Sequence, residues 1–190
     1  DTTLEDGADL ITASAGTSNF RAGVNAGNSI ASGGNYNTVV GDEAGTALTT
    51  GDANVAVGFE ALKTEDGHGF NTAVGYQSLK TLNAGQEGYH TAVGYLAGTS
   101  MTTAFANTVI GGLAGDALTD GNNNTAVGVL ALSADTSGAK NTAFGYGTLE
   151  TQNFTSSTDA YNTAVGFSAG NDITTGIQNT ILGALAGDAL

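Results

Sequence analysis

Histidines and paired carboxylates are the side chains of this chain that could perform acid-base chemistry. The histidines are His68 and His90, and neighbouring carboxylates occur at 42–43 and 65–66. Acid-base catalysis needs such groups to meet a partner in a cleft. His90 stands where most repeats have an asparagine, which favours a structural role, and the carboxylate pairs fall in polar loops, where solvated charge is the default. We therefore expect no catalytic residue and no enzymatic activity.

Metal and phosphate sites are weakly indicated. The chain has no cysteine, so it has no thiolate metal site and no disulfide framework. The Gly-Asp at 115–116 and the Asp-Gly at 120–121 are typical of calcium-binding turns, but the glycine- and aspartate-rich repeat of calcium-binding β-rolls is absent. The closely spaced glycines lack the lysine that a phosphate loop requires. We expect no cofactor and no metal, with calcium as the one weak alternative.

The charge of the chain excludes several classes of partner. It has 18 Asp and Glu against 4 Lys and Arg, a formal net charge of -14. Phosphate contacts need clustered cations, so we expect no nucleic-acid partner. There is no basic stripe for an anionic membrane and no apolar run of about 18 residues, so we expect no membrane insertion. The chain stops in mid-repeat at Leu190, which favours a fragment of a longer protein.

The residues discussed above are embedded in a repeated sequence pattern that predicts a strand in every repeat. Asn71-Thr72-Ala73-Val74-Gly75 returns with small changes along the chain, and its glycines are 17, 17, 19, 17, 17, 17, 21 and 17 residues apart. Such a fixed period is typical of stacked coils. We predict an all-β, parallel β-solenoid of about ten 17-residue coils over residues 19–190, beginning with a degenerate coil at 19–23. Residues 1–18 are expected to form an irregular N-terminal segment.

Alignment of the repeats gives columns of equivalent residues, and the columns predict which side chains point into the solenoid. Side chains alternate along a strand, so the bulky residue before each glycine and the threonine two places earlier share one face, which we predict to point into the solenoid. The small apolar residue between them would then point outward and be covered by a second chain. The predicted oligomer interface is Ala56, Ala73, Ala92, Val109, Ala126, Ala143, Ala164 and Ile181.

Three other positions of the repeat lead to predictions about local structure. The asparagine that opens each strand is expected to form a ladder of amides along the stack. The glycine after each strand is expected to take a positive φ. The small residue three places after that glycine is predicted to belong to a second short strand.

A longer repeat is superimposed on the coils. The small residue three places after each turn glycine is followed by Gly, Leu, Leu and Gly in four successive coils. This order defines four-coil blocks at 37–106 and 107–178 and a third block starting at 179. Both complete blocks lengthen the loop of the third coil, at 81–89 and 151–161. Such insertions often mark a binding face, and aromatic residues gather beside them. Candidate ligand contacts are Tyr76, Tyr89, Tyr95, Tyr146, Phe154 and Tyr161. The alternative is that these rings only cover the edge of a thin core.

Taken together, these residues resemble the head repeats of trimeric autotransporter adhesins. They are still more similar to the NTAVGxxAL repeats of proteins described as bacteriophage tail fibres. The resemblance covers roughly residues 19–190. It implies a left-handed solenoid, a homotrimer and an extracellular location on a virion tail fibre or a cell surface.

Two functions of different classes fit this sequence. The first is a structural and adhesive fibre segment that presents a receptor-binding region and contacts a host receptor or glycan along its side. The second is a monomeric ice-binding solenoid, which requires that threonine point outward and alanine inward. A polysaccharide-cleaving spike would need clustered acids in a groove, and the sequence shows no such cluster.

Overall fold

The computed structural model describes residues 14–188, and within that range the chain is all-β with no helix. Ten strands form one parallel sheet in chain order. They are β1 (Phe20–Ala22), β2 (Thr38–Val40), β3 (Val55–Val57), β4 (Thr72–Val74), β5 (Thr91–Val93), β6 (Thr108–Ile110), β7 (Thr125–Val127), β9 (Thr142–Phe144), β11 (Thr163–Val165) and β12 (Thr180–Leu182). Two shorter strands, β8 (Gly138–Ala139) and β10 (Thr158–Asp159), pair in a second parallel sheet. The predicted N-terminal segment falls mostly outside the described residues.

The strands keep equivalent residues side by side. Thr72 pairs with Thr91 and Thr142 pairs with Thr163, although the intervening spacings are 19 and 21 residues. The extra residues are therefore absorbed in the loops and do not shift the register. The prediction of a parallel β-solenoid with about ten coils of about 17 residues is confirmed.

From β2 onward, the middle residue of each strand of the long sheet is buried and points into the coil of its own chain, which corrects the predicted directions. Seven of the eight predicted interface residues are 0% exposed in the single chain, and Ile181 is 7% exposed. A second chain therefore cannot contact Ala56, Ala73, Ala92, Val109, Ala126, Ala143, Ala164 or Ile181. The larger residues before the glycines are the ones that face outward, and they are half-buried or exposed.

The coil interior is too thin for large side chains from both sides, which explains why the alanines face inward. Opposite each strand lies the position that alternates between Gly and Leu. A Cβ on Gly45 would come within 3.1 Å of Val39 Cγ1, and one on Gly115 within 2.9 Å of Val109 Cγ1. Coils with a buried leucine at that position, such as Leu62, have alanine on the strand. Gly98 and Gly170 face alanines on the strand, and a Cβ there would instead come within 3.0 Å of Leu79 Cδ2 and 3.1 Å of Leu149 Cδ2 in the preceding coil. The Gly and Leu pattern therefore reflects space shared with the strand in some coils and with the neighbouring coil in others.

The glycines that follow the strands have the predicted positive φ. Gly41, for example, has a φ of 127°, and a Cβ there would come within 2.6 Å of the carbonyl oxygen of Gly58 in the next coil. Only glycine meets both demands, the left-handed backbone and the close approach of the next coil.

The predicted second strand is wrong, because the small residues after the glycine lie in turns. These turns are still bonded from coil to coil, since Gly45 N–H donates to Ala61 O and Leu62 N–H donates to Ser78 O, both at 2.9 Å. Leu62 itself has a φ of 51°, an unfavourable value for leucine that its full burial offsets.

Ala126→Asp tests the inward direction of the alanine column. Because Ala126 is fully buried in the single chain, the substitution places an unpaired carboxylate in the core, and we expect the chain to lose its fold, with a destabilisation of several kcal/mol, roughly 3 or more. Circular dichroism during chemical denaturation measures this loss. Asp120→Ala, at an exposed loop position, should change the midpoint little. A folded but dissociated Ala126→Asp protein would contradict the inward orientation.

Candidate functional site

The outward residues of the strands form a continuous uncharged surface, which we call the strand face. Its first column is Thr38, Val55, Thr72, Thr91, Thr108, Thr125, Thr142, Thr163 and Thr180, and its second is Val40, Val57, Val74, Val93, Ile110, Val127, Phe144, Val165 and Leu182. Most of these side chains are half-buried by their neighbours along the stack. Three bulky members of the second column are more exposed, at 36% for Ile110, 55% for Phe144 and 80% for Leu182.

The asparagine ladder beneath the strand face is confirmed. The backbone N–H of each corner residue donates to the side chain of its counterpart one coil earlier, as in Asn54 to Asn37 Oδ1 at 2.8 Å and Asn124 to Asn107 Oδ1 at 2.8 Å. The amide nitrogen of Asn37 donates in turn to the carbonyl oxygen of Gly51 at 2.8 Å. Each asparagine therefore satisfies buried backbone groups on both sides of its corner, which fixes the start of the strand.

His90 replaces one asparagine of this ladder and copies its bonding. It is 1% exposed; its Nε2 donates to Ala104 O at 2.9 Å, and its Nδ1 accepts from the N–H of Asn107 at 3.3 Å. The neutral ring with its proton on Nε2 satisfies both partners. Burial lowers the pKa of His90 from its ordinary value of 6.5, so the ring stays neutral in the fold.

His90→Asn should make the fold less sensitive to acid. Since the pKa of His90 is lower in the folded than in the unfolded chain, its stabilising contribution is complete above pH 6.5 and is lost as pH falls below that value. From pH 8 to pH 5 we expect wild type to lose stability relative to His90→Asn by at most about 1.4 kcal/mol per pH unit. Urea denaturation of both proteins measures the difference, and two parallel pH curves would contradict a neutral buried His90.

Aromatic side chains form two rows that flank the strand face. The first row follows the turn glycines: Phe59, Tyr76 and Tyr95 stack with ring centroids 5.3 and 5.5 Å apart, and Tyr146 stacks on Phe167 at 5.2 Å. The second row precedes the corner residues and includes Phe70 stacked on Tyr89 at 5.3 Å. Of the six predicted ligand contacts, five are exposed, by 45–60%: Tyr76, Tyr89, Tyr95, Tyr146 and Tyr161.

The prediction is wrong for Phe154, which is only 8% exposed. It lies at the base of the lengthened loop 151–161, where its backbone N–H donates to the buried carboxylate of Asp135 at 3.0 Å. An aromatic residue near an insertion is visible in the sequence, but nothing there indicates that the loop turns this ring inward.

Tyr161 already has a cationic partner within the chain. Lys140 Nζ lies 5.1 Å from the centroid of its ring, 3.1 Å from its hydroxyl and 2.5 Å from Asp159 Oδ2. The carboxylate and the phenol together raise the pKa of Lys140. The arrangement shows that an aromatic ring and a carboxylate on this edge hold an ammonium group.

Buried acids anchor the two lengthened loops, and one of them, Glu65, was expected to be a solvated loop charge. Glu65 and Asp135 occupy the same position in the two blocks and are both 0% exposed. Glu65 Oε2 accepts from the N–H of Ala84 at 3.0 Å. Asp135 Oδ1 accepts from Gly138 N–H at 2.9 Å and from Phe154 N–H at 3.0 Å. The sequence signal for these anchors is an acidic residue at the same position of the coil that precedes each lengthened loop.

Asp135→Ala should release the loop 151–161. The substitution removes the acceptor of two buried backbone N–H groups and of Gln152 Nε2, which lies 2.6 Å from Asp135 Oδ2. We expect a loss of stability of about 2–5 kcal/mol and faster proteolysis within the loop. The exposed Asp66 provides the control: Asp66→Ala should change neither measurement. Unchanged proteolysis in Asp135→Ala would show that the carboxylate does not hold the loop.

A network of salt bridges occupies the turns of the first block. Lys63 contacts both Glu43 and Glu60, and Lys80 lies 2.7 Å from Glu60 Oε2, to which Gln77 Nε2 also donates. The hydrogen bonds from Lys63, and after them those from Lys80, lower the pKa of Glu60 from 4.5 to about 2. The network ties three successive coils together but leaves the strand face uncharged.

Two places in the structure bear on metal binding. Glu65, Asp66 and His68 each have a ligand atom within 4.8 Å of the others, and Glu65 Oε1 also accepts from His68 N–H at 3.1 Å. In the suggested calcium turn, one oxygen of Asp116 is buried without a hydrogen-bond partner, and burial raises the pKa of this carboxyl.

The fold and this surface define a parallel β-solenoid repeat protein. Comparison of the chain with protein-family models, curated proteins and solved structures finds no significant match. Over the part of the chain that the structure describes, no helix is long and apolar enough to cross a membrane.

Proposed function

We propose that this chain is the shaft of an extracellular homotrimeric fibre, on a virion tail or a cell surface, in which the strand face is the surface that joins the copies. The role is structural and adhesive rather than enzymatic. The observation that carries the proposal is the strand face itself, which is uncharged in all nine coils from β2 onward and exposes bulky apolar side chains. The number of copies rests on the resemblance of the repeat to trimeric fibre proteins.

The distribution of charge favours self-association through this surface. Copies of a chain with a net charge of -14 repel one another wherever their acids meet. The acids lie in the turns and return loops, for example at the exposed Asp42 and Asp120, whereas the strand face has none. Identical chains can therefore approach along the strand face without bringing carboxylates together.

The apolar character of the strand face also favours self-association. Its second column consists only of Val, Ile, Phe and Leu, and the aromatic rows continue the apolar surface on both sides. Soluble monomers rarely expose large contiguous apolar patches without a partner. Covering it in an oligomer removes this surface from water, the favourable term that drives most protein association.

Ice binding is the second candidate, because the structure meets its requirement that threonine point outward and alanine inward. A flat, regular face is also needed. The second column departs from flatness where Phe144 stands among valines with 55% of its surface exposed, and Val55 interrupts the threonines. We therefore favour the fibre.

Val127→Asp tests the proposed interface. The residue neighbours Ala126 but faces outward, so the added carboxylate should leave the coil folded and place like charges together between copies. We expect wild type to have three times the chain mass of 18.7 kDa by light scattering and Val127→Asp to be a folded monomer. Thr103→Asp adds the same charge to an exposed return loop and should keep the trimer.

Two results would reject the proposal, the first in whole and the second in its interface. One is a wild-type monomer that inhibits ice recrystallisation, which would establish the alternative. The other is a Val127→Asp protein that keeps the trimer mass, which would show that the strand face does not join the copies.

A further inference from the structure

The stacked aromatic rows leave a free ring face at only a few positions. A ring inside a stack has a neighbour on each side, so a ligand could contact its edge but not its face. The stack of Phe59, Tyr76 and Tyr95 stops because the next coil has Gly112 at the equivalent position, where an added Cβ would meet no heavy atom within 4 Å. The stack of Phe70 and Tyr89 stops at the same coil, where the equivalent residue is Ala106.

Both rows thus end at the boundary between the two four-coil blocks. A surface cavity of about 480 Å³ lies at the end of the second row, lined by Gln86, Glu87, Tyr89, Phe105 and Ala106. Its volume falls within the range of about 300–1,000 Å³ that is usual for small-molecule sites. The cavity combines two aromatic residues, Tyr89 and Phe105, with Ala106 and two polar side chains from the lengthened loop 81–89.

One polar side chain of the cavity, that of Glu87, is held by the preceding coil. Glu87 Oε2 accepts from the backbone N–H of Gly69 at 2.6 Å, which fixes the carboxylate beside Tyr89. Gln86 is exposed and offers both a donor and an acceptor from one amide. The lengthened loop, which the block repeat identifies as an insertion, therefore supplies hydrogen-bonding groups next to a free aromatic face.

We propose that this cavity binds a neutral pyranose ring of a surface glycan, with the sugar stacked on Tyr89 and its hydroxyls bonded to Gln86 and Glu87. The face of an aromatic ring is negative and attracts the weakly positive C–H groups of a sugar. Hydroxyls donate well to a carboxylate. Glu87 and the net charge of -14 disfavour acidic sugars. The inference deepens the proposed function, since a host-surface glycan is a ligand that such a fibre would meet.

An organic cation is the competing ligand, because Lys140 contacts the ring of Tyr161 in the second block. One feature favours the neutral sugar. The cavity includes the amide of Gln86, which both donates and accepts and so matches hydroxyls, whereas a quaternary ammonium group does neither.

Saturation-transfer NMR with the methyl glycosides of glucose, galactose and mannose tests this site, with methyl glucuronide and tetramethylammonium as acidic and cationic probes. We expect wild type to bind at least one neutral glycoside, and Tyr89→Ala to weaken that binding by about fivefold or more. Gln86→Ala, at an exposed position that the fold does not need, should weaken it as well. Tyr161→Ala is the matched control and should bind as wild type does.

Three outcomes would overturn the assignment: no neutral glycoside binds, tetramethylammonium binds in their place, or Tyr161→Ala weakens binding as much as Tyr89→Ala. The test does not depend on the fibre proposal, because all five lining residues belong to one chain. A monomer that binds the glycoside through Tyr89 would reject the trimer alone, and a trimer that binds none would reject the glycan site alone.

Discussion

The thinness of the coil is the constraint on which the rest of this structure depends. Between the strand and the turn opposite, the interior holds one large side chain or two small ones. Where Val109 fills the strand position, the opposite residue is Gly115, and where Leu132 fills the turn, the strand has Ala126. Interiors pack at crystal-like density, so a position can grow only where its neighbours leave room. Those neighbours also include the adjacent coil, since a Cβ on Gly98 would come within 3.0 Å of Leu79 Cδ2.

Because so little apolar volume fits inside, polar groups take an unusual share of the interior. The asparagine ladder, His90 and the buried acids Glu65 and Asp135 satisfy backbone groups that the short strands leave unpaired. Buried polar groups are tolerable only when they are bonded, and here each bond also sets the position of the next coil. The same bonds allow the loops 81–89 and 151–161 to lengthen without disturbing the register of the sheet.

The repeat made the architecture predictable, but not the direction of its side chains. Period, parallel pairing, glycine conformation and the asparagine ladder all follow from residues that recur at fixed spacing. The direction of the side chains does not follow in the same way, because the middle column of the strand and the column before the glycines are both apolar. The larger side chains were expected in the core. The sequence contained the corrective signal: Asn37 and Val39 are two residues apart and so share a face, and an amide ladder must be buried to be useful. The buried Phe154 and Glu65 depend on how single loops fold, which no periodic pattern describes.

An interior that specifies the coil leaves the exterior free to differ from coil to coil. The outward positions change where the blocks meet: the aromatic rows stop beside Ala106 and Gly112, although the inward residues there, Asn107 and Val109, keep the pattern. A residue lost from a stack costs the coil little, because the rings contribute mainly to the surface. Such an interruption can therefore arise without unfolding the solenoid. The cavity proposed to bind a glycan lies at one of them, beside the lengthened loop 81–89, and not in the regular part of the surface.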